Sequence, residues 1–247
     1  MEAPVSARPT LQVLREAAPT ISVGMLTADL ARLGAEFDLL AGTGTRLVHY
    51  DVMDGRFCPA LTFGAPVVAA AKTSLLKDVH LMIEEPLDTL AEFVAAGADV
   101  LTIHVEATRH PQRALQALGG MTNANDPARG LVRGVALNPG TPLAAVEPLL
   151  GEIELILVLA VNPGWGGQAF AASTEGRLAQ ARAMIAASGR EILLGVDGGV
   201  RRDNVKAIAA MGPDVIVTGS AVFDGKNAEA NARFMLETLR APRAGAA

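Results

Sequence analysis

Hydrophobic residues occur along most of the chain as short runs, separated by longer segments in which polar and apolar residues mix. Eight runs are rich in Val, Leu and Ile and have the length of buried strands. They occupy residues 20–26, 47–53, 78–83, 100–106, 132–138, 155–161, 192–197 and 215–219. Because aromatic residues are few and the runs are built mainly from Val, Leu, Ile and Ala, the pattern favours parallel strands that are buried on both faces.

The segments between the runs carry apolar residues at spacings of three and four, which predicts helices. Several of them begin with Asp, Asn or Pro and end in Gly, as helices commonly do. The clearest examples are residues 29–44, 86–97, 175–189, 203–212 and 227–240. Repeated strand and helix units in a chain of 247 residues predict an α/β fold with a single (β/α)8 TIM barrel. An open doubly wound sheet is the alternative.

The ends of the chain are expected to lie outside the barrel. Residues 1–19 contain several prolines and charges and are expected to form an N-terminal extension, residues 20–240 the catalytic barrel, and residues 241–247 a flexible tail. Residues 119–130, rich in Gly, Asn, Asp and Pro, predict a loop. This loop follows a helix and precedes a strand, so it should lie on the barrel face opposite the active site.

Composition narrows the classes of partner and compartment. A net charge of −5 argues against a nucleic-acid surface. The longest apolar runs are far shorter than the roughly 20 residues that cross a bilayer, and the first residues do not resemble a secretory signal. The single cysteine, Cys58, excludes an internal disulfide and fits a reducing compartment. We therefore expect a cytoplasmic protein with no membrane or nucleic-acid partner.

Polar side chains collect near the ends of three predicted strands. His49, His80 and His104 lie at or near the carboxyl ends of the second, third and fourth strands, where reactive groups of such barrels are found. Residues two apart on a strand point the same way, so His49 and Asp51 share one face. Burying this pair is costly without a partner of opposite charge.

A divalent cation would be such a partner. His80 comes from the next strand and Asp197 ends the seventh, so two imidazoles and two carboxylates can converge. This donor set suits zinc, with manganese, iron or cobalt as alternatives. A single histidine at a strand end is more often a hydrogen-bonded core residue, so the prediction rests on the set of four. His104 and Glu106 are expected to have a supporting role.

Glycine-rich turns follow the last three strands, at residues 161–168, 197–200 and 218–223. Glycine lets backbone amides approach a bound anion, and barrels often hold phosphate in the loops after strands seven and eight. The three turns together predict a small phosphorylated substrate.

These motifs, taken in order, resemble the ribulose-phosphate 3-epimerase family. The resemblance covers residues 21–223 and rests on HYDVMDGRFCPALTFG, DVHLMI, GADVLTIHVEA, GVALNPGTP, VNPGWGGQ, VDGGV and TGSAVF. It implies a ribulose-phosphate-binding barrel that is a homo-oligomer and interconverts D-ribulose 5-phosphate and D-xylulose 5-phosphate. It also implies roles for individual residues. The metal ligands would be His49, Asp51, His80 and Asp197, and Asp51 and Asp197 would also form the acid/base pair.

The resemblance further implies a substrate pocket with His80 beside it and methionines in its wall. The residues concerned are Gly24, Met53, Met82, Gly164, Trp165, Gly166, Gly167, Gly198, Gly199, Gly219 and Ser220. Three positions depart from the family pattern: Gly24 replaces a serine, Leu159 a methionine and Trp165 a phenylalanine. The departures lie in the pocket, so they leave open which ketose phosphate is the substrate.

The hypothesis for the reaction is inversion of carbon 3 of a ketose phosphate. One carboxylate removes the proton and the other returns a proton to the opposite face of an enediolate. No GxGxxG motif follows a strand, so we expect no organic cofactor. The alternatives are an epimerase of allulose 6-phosphate or a tetrulose phosphate, and a non-catalytic phosphosugar-binding barrel. A Schiff-base aldolase or a phosphosugar decarboxylase would need a lysine in the barrel mouth, and none is predicted there.

Overall fold

A computed structural model describes residues 9–240. Its centre is a closed barrel of eight parallel strands in chain order, which confirms the predicted fold. The eight predicted strands all form, and their ends differ from the prediction by at most two residues. The strands are β1 (Thr20–Gly24), β2 (Leu47–Met53), β3 (Leu76–Met82), β4 (Val100–His104), β5 (Val132–Leu137), β6 (Leu155–Leu159), β7 (Leu193–Asp197) and β8 (Val215–Thr218).

The α-helices that follow the strands bury their apolar residues against the outside of the barrel, whereas the first helix precedes the first strand. The helices are α1 (Thr10–Ala17), α2 (Leu33–Ala41), α3 (Ala65–Ala70), α4 (Leu90–Ala95), α5 (Pro111–Gly119), α6 (Thr174–Ser188), α7 (Val205–Ala210) and α8 (Ala228–Arg240). Within residues 9–240, none of them combines the length and the apolar character needed to cross a bilayer.

The connection from β5 to β6 departs from a regular repeat. It contains two short 3₁₀ helices, Leu143–Ala145 and Glu147–Leu149, where an α-helix would be expected. Pro142 sets the start of the first turn, and Pro148 lacks the backbone N–H that a continuous helix from Leu143 onward would use. Leu143 and Leu149 are nevertheless buried, so the turns still cover this side of the barrel.

The amino-terminal end of the barrel is closed by α1, which the sequence pattern did not identify within the expected extension. Leu14 of this helix is 1% exposed and packs among apolar residues at the beginnings of six strands: Leu47, Leu76, Val100, Val132, Leu155 and Leu193. The segment 119–130 lies at the same end. Its Asn123 donates to Asp99, just before β4, over 3.0 Å.

The barrel interior changes character along the strands. Side chains that point inward from β2 are Leu47 in the apolar closure, then His49 and Asp51, and finally Met53. The polar pair therefore lies in the carboxyl half of the barrel, above the apolar layer formed by the strand beginnings.

Candidate functional site

The four predicted ligands come together at the carboxyl half of β2, β3 and β7. One donor atom from each of His49, Asp51, His80 and Asp197 lies within 4.8 Å of the others. Asp51 Oδ1 is 3.3 Å from Nε2 of His49 and 3.5 Å from Nδ1 of His80. Asp197 Oδ2 is 3.6 Å from the same nitrogen of His80. These four residues, here called the metal group, could hold one metal ion.

His49 is held in one orientation by a neighbouring carboxylate. Its Nδ1 lies 2.7 Å from Oδ2 of Asp78, and Ser22 Oγ donates to the same oxygen over 2.7 Å. An ionised carboxylate can only accept, so the Nδ1 atom carries a hydrogen. The other nitrogen, Nε2, points at Asp51 and has no hydrogen-bond partner. A histidine oriented by a carboxylate in this way is typical of metal sites.

His80 is oriented by a chain of two further side chains. Nε2 of His80 lies 2.9 Å from Nε2 of His104, whose Nδ1 lies 3.0 Å from Oε2 of Glu106. The acceptor Glu106 places a hydrogen on Nδ1 of His104, so Nε2 of His104 accepts from His80. Burial lowers the pKa of His104 to about 4, although Glu106 opposes this effect. The neutral ring can therefore accept the hydrogen bond from His80.

The consequence is a free lone pair on Nδ1 of His80, which is buried and has no hydrogen-bond partner. Two buried imidazole nitrogens without partners therefore face two carboxylates. This donor set fits a divalent cation, because an unpaired buried polar atom is costly unless a ligand satisfies it.

Glu106 is held in place by residues of the connection that follows β5. Its Oε1 accepts hydrogen bonds from the backbone N–H of Asn138, over 2.7 Å, and from the hydroxyl of Thr141. Arg177 of α6 donates to the carbonyl oxygens of Thr141 and Asn138 over 2.7 and 3.0 Å. The supporting chain thus runs from the metal group to a helix on the outside of the barrel.

The two carboxylates of the group differ in their affinity for protons. Burial opposes ionisation of Asp51, but His49 and His80 outweigh it and lower its pKa. Burial, reinforced by the charge of Asp51, raises the pKa of Asp197 to about 6. Burial disfavours the protonated form of His49, yet Asp78 and Asp51 together raise its pKa well above the usual value. A proton on His49 would occupy the direction that a cation needs, so protons and metal compete.

A cavity of about 360 Å³ opens directly above this group, between the turns after β6, β7 and β8. Asp51 and Asp197 reach its floor, whereas His49 and His80 lie beneath and are fully buried. The other predicted pocket residues also line it: Gly24, Met53, Met82, Gly164, Trp165, Gly166, Gly167, Gly198, Gly199, Gly219 and Ser220. No lysine is among the residues that line it over the part of the chain that the structure describes.

Backbone geometry explains why glycine is required in these turns. Gly198 and Gly199 have φ of 101° and 67°, values that favour glycine. A Cβ on Gly199 would also lie 2.6 Å from the backbone nitrogen of Phe170. The turn after β6 is held by Gln168, whose Nε2 donates to the carbonyls of Asn162 and Trp165 over 2.6 and 3.0 Å. Trp165 itself is 55% exposed at the cavity mouth.

The structure adds three residues that the sequence analysis did not select. Asp78 orients His49, and its position two residues before His80 on one strand could have indicated this. Thr27 lines the cavity beside Gly24, and its hydroxyl donates to the Gly24 carbonyl over 3.3 Å. Arg201 lines the cavity in the turn after β7. Thr27 ends the short 3₁₀ helix Met25–Thr27 and Arg201 lies in a loop, so strand spacing gives no direction for either side chain.

The sequence of this chain is similar to those of known proteins. The family model described as the ribulose-phosphate 3 epimerase family matches residues 20–223. Ribulose-phosphate 3-epimerase 1 of Cupriavidus necator is 40% identical over 227 residues, which cover 89% of this chain and 90% of the relative. Ribulose-phosphate 3-epimerase of Escherichia coli strain K12 is 39% identical over 208 residues, covering 83% and 88%.

Solved structures with the same fold are more distant in sequence. The 3-hexulose-6-phosphate synthase of Salmonella typhimurium has a TM-score of 0.62 at 18% identity, covering 89% of this chain and 98% of that one. A tryptophan synthase chain of Mycobacterium tuberculosis has a TM-score of 0.66 at 16% identity, covering 95% and 100%. These likenesses support the barrel fold alone.

Proposed function

The chain belongs to the ribulose-phosphate 3-epimerase family, and from this premise we propose that it interconverts D-ribulose 5-phosphate and D-xylulose 5-phosphate. The observation that carries the proposal is the position of Asp51 and Asp197. They come from strands that are not neighbours in the barrel, and both reach the floor of one cavity above a group that could hold a metal.

Epimerisation at carbon 3 needs a base on one face of the sugar and an acid on the other. We assign these roles to Asp51 and Asp197, which exchange them in the reverse direction. The lowered pKa of Asp51 and the raised pKa of Asp197, about 6, make Asp197 the carboxyl group of the pair that takes up a proton more readily. The barrel strands fix both side chains relative to a bound sugar, which lowers the entropic cost of proton transfer.

His49, Asp51, His80 and Asp197 would hold one divalent cation, with zinc favoured by the donor set and manganese, iron or cobalt as alternatives. When bound, the cation would supply Lewis-acid stabilisation of negative charge on the substrate. Asp78, His104 and Glu106 orient the two imidazoles toward it. The reaction involves no net oxidation or reduction, so we propose that no organic cofactor takes part.

The turns after β7 and β8 would receive the phosphate group of the substrate. Gly198, Gly199, Gly219 and Ser220 line the cavity there, and glycine allows close approach of backbone amides to an anion. Gly24, Leu159 and Trp165, the departures from the family pattern, also line it. For this reason allulose 6-phosphate and tetrulose phosphates are the alternative substrates. A non-catalytic barrel is disfavoured because all four metal-type side chains are present and assembled.

Further parts of the proposal concern organisation. We propose that residues 20–240 act as one catalytic domain, with 1–19 as an extension whose helix α1 closes the amino-terminal end of the barrel, and with 241–247 as a tail; residues 1–8 and 241–247 lie outside the described range. We also propose a cytoplasmic homo-oligomer without membrane or nucleic-acid partners. The net charge of −5 supports the absence of a nucleic-acid partner, and the single cysteine supports the cytoplasm.

The experiment that tests the function uses purified, metal-analysed protein with a panel of four- to six-carbon ketose phosphates. Epimerisation is followed together with incorporation of solvent deuterium at carbon 3. We expect turnover and deuterium exchange with D-ribulose 5-phosphate, both abolished in Asp51→Asn and in Asp197→Asn with the fold retained. A binding module would exchange no deuterium, and near-normal turnover by either variant would refute the assigned roles.

A further inference from the structure

Arg201 is the one positively charged residue that lines the cavity, judged over residues 9–240. The other charged residues in the lining are the carboxylates Asp51 and Asp197. A divalent cation held by the metal group would compensate these two negative charges. The phosphate of a sugar phosphate would bring about two further negative charges at neutral pH, which the metal group leaves uncompensated.

The guanidinium of Arg201 is free to make a new contact. Within residues 9–240 it forms no ion pair or hydrogen bond, and its side chain is exposed. Its neighbour Arg202 differs, since that guanidinium donates to Asn231 and lies 4.0 Å from the ring centroid of Phe234. Two adjacent arginines therefore have different surroundings: one is committed to packing against α8, the other faces the cavity.

The backbone that carries Arg201 is fixed to the glycine turn. Asn204 accepts from the Arg201 N–H over 2.7 Å and donates to the Gly199 carbonyl over 2.9 Å. Gly199 in turn packs so closely on Phe170 that no Cβ would fit. The Cα of Arg201 is thus held close to the turn that would cradle a phosphate, and only its side chain needs to move.

We propose that Arg201 binds the phosphate group of the substrate through its side chain and sets the preference for doubly charged sugar phosphates. The inference rests on the proposed function, because it takes the turn after β7 as the phosphate end of the cavity. A guanidinium can donate two parallel hydrogen bonds to a phosphate, which a lysine cannot reproduce. Since the phosphate does not change during epimerisation, this contact stabilises ground state and transition state alike.

The consequence is a split between two kinetic constants. Arg201→Gln should raise KM about tenfold, as for loss of one partly exposed charge-assisted contact, while kcat stays within about twofold. Arg201→Lys should lie between the wild type and Arg201→Gln. Raising the ionic strength from about 0.02 to about 0.3 M should raise KM of the wild type and change that of Arg201→Gln much less.

The matched control is Arg113→Gln, which removes the same charge from an exposed position on α5, outside the cavity. Binding of inorganic phosphate to the metal-loaded protein, measured by calorimetry, provides a readout that does not depend on turnover. We expect about tenfold weaker phosphate binding for Arg201→Gln and wild-type binding for Arg113→Gln. Thermal unfolding of each variant checks the fold.

Wild-type phosphate affinity and KM in both Arg201 variants would overturn the role of Arg201 and leave the epimerase proposal intact. If instead no ketose phosphate is turned over by the wild type, the proposed function fails, and the phosphate titration still decides whether Arg201 binds an anion there. An equal loss of phosphate affinity in Arg113→Gln would show a general charge effect and would also overturn the proposal.

Discussion

Replacing Glu106 by glutamine should weaken metal binding, although Glu106 does not belong to the metal group. In the native chain Glu106 accepts from Nδ1 of His104, and His104 accepts from Nε2 of His80. The glutamine oxygen would remain with the N–H of Asn138 and the hydroxyl of Thr141, the donors that Glu106 Oε1 serves. Its NH₂ group would then face His104.

This reversal passes along the chain of rings. With a donor opposite Nδ1, His104 must carry its hydrogen on Nε2, where it meets the Nε2 hydrogen of His80. Either two donors oppose each other at a separation of 2.9 Å, or the His80 hydrogen moves to Nδ1 and removes the lone pair that faces the carboxylates. A buried mispaired group costs about 1–3 kcal/mol, which corresponds to metal affinity lower by about 10- to 100-fold.

The assay is a competition titration of metal-stripped protein with Co²⁺ or Zn²⁺ against a chromophoric chelator. The matched control is Glu84→Gln, because Glu84 pairs with Arg56 at 3.0 Å on the surface and does not touch the rings. Metal affinity of Glu106→Gln within about twofold of the wild type and the control would refute the argument that Glu106 sets the hydrogen positions of both rings.

Other predictions address stability, pH and ligand entry. Leu14→Ala should lower the free energy of unfolding by about 2–4 kcal/mol in urea titrations and leave kcat/KM unchanged, since Leu14 is buried at the far end of the barrel; a loss of activity in the folded variant would contradict this. Burial opposes ionisation of Glu106, but hydrogen bonds, first that of His104, lower its pKa to about 2 from the ordinary 4.5. The resulting stabilisation is present above pH 4.5 and lost toward pH 2. Glu106→Gln should therefore lower the free energy of unfolding by about 1–2 kcal/mol at pH 6, after allowance for solvent screening. This loss should be smaller at pH 3, and an equal loss at both pH values would contradict the argument. Emission of Trp165, the single tryptophan, should change when a sugar phosphate saturates the protein; an unchanged spectrum would place the ligand elsewhere.

The strands were predictable from the sequence because each run is short and apolar at most of its positions. Two features of the fold were not. In helix α1 the only buried apolar residue is Leu14. Its packing partners at the beginnings of six strands lie far apart in the chain. The β5 to β6 connection has apolar spacing that suits a helix, but its prolines limit it to 3₁₀ turns.

The candidate site also has features that the sequence predicts and features that only the structure shows. The same-face rule was enough to group His49 with Asp51, because both lie on one strand. The partnership of His49 with Asp78 depends on the register between β2 and β3, in which these two residues are paired. Arg201 and Thr27 lie outside the strands, and their position at the cavity follows only from closure of the barrel.

Leu14 and six strand beginnings close the amino-terminal end of the barrel, so the cavity opens at the opposite end, at the rim where Trp165 lies. Substrate can therefore enter only after product has left, since both use this opening. Any ligand that stays at this rim delays departure as much as arrival, so an inhibitor could act there without reaching the carboxylates.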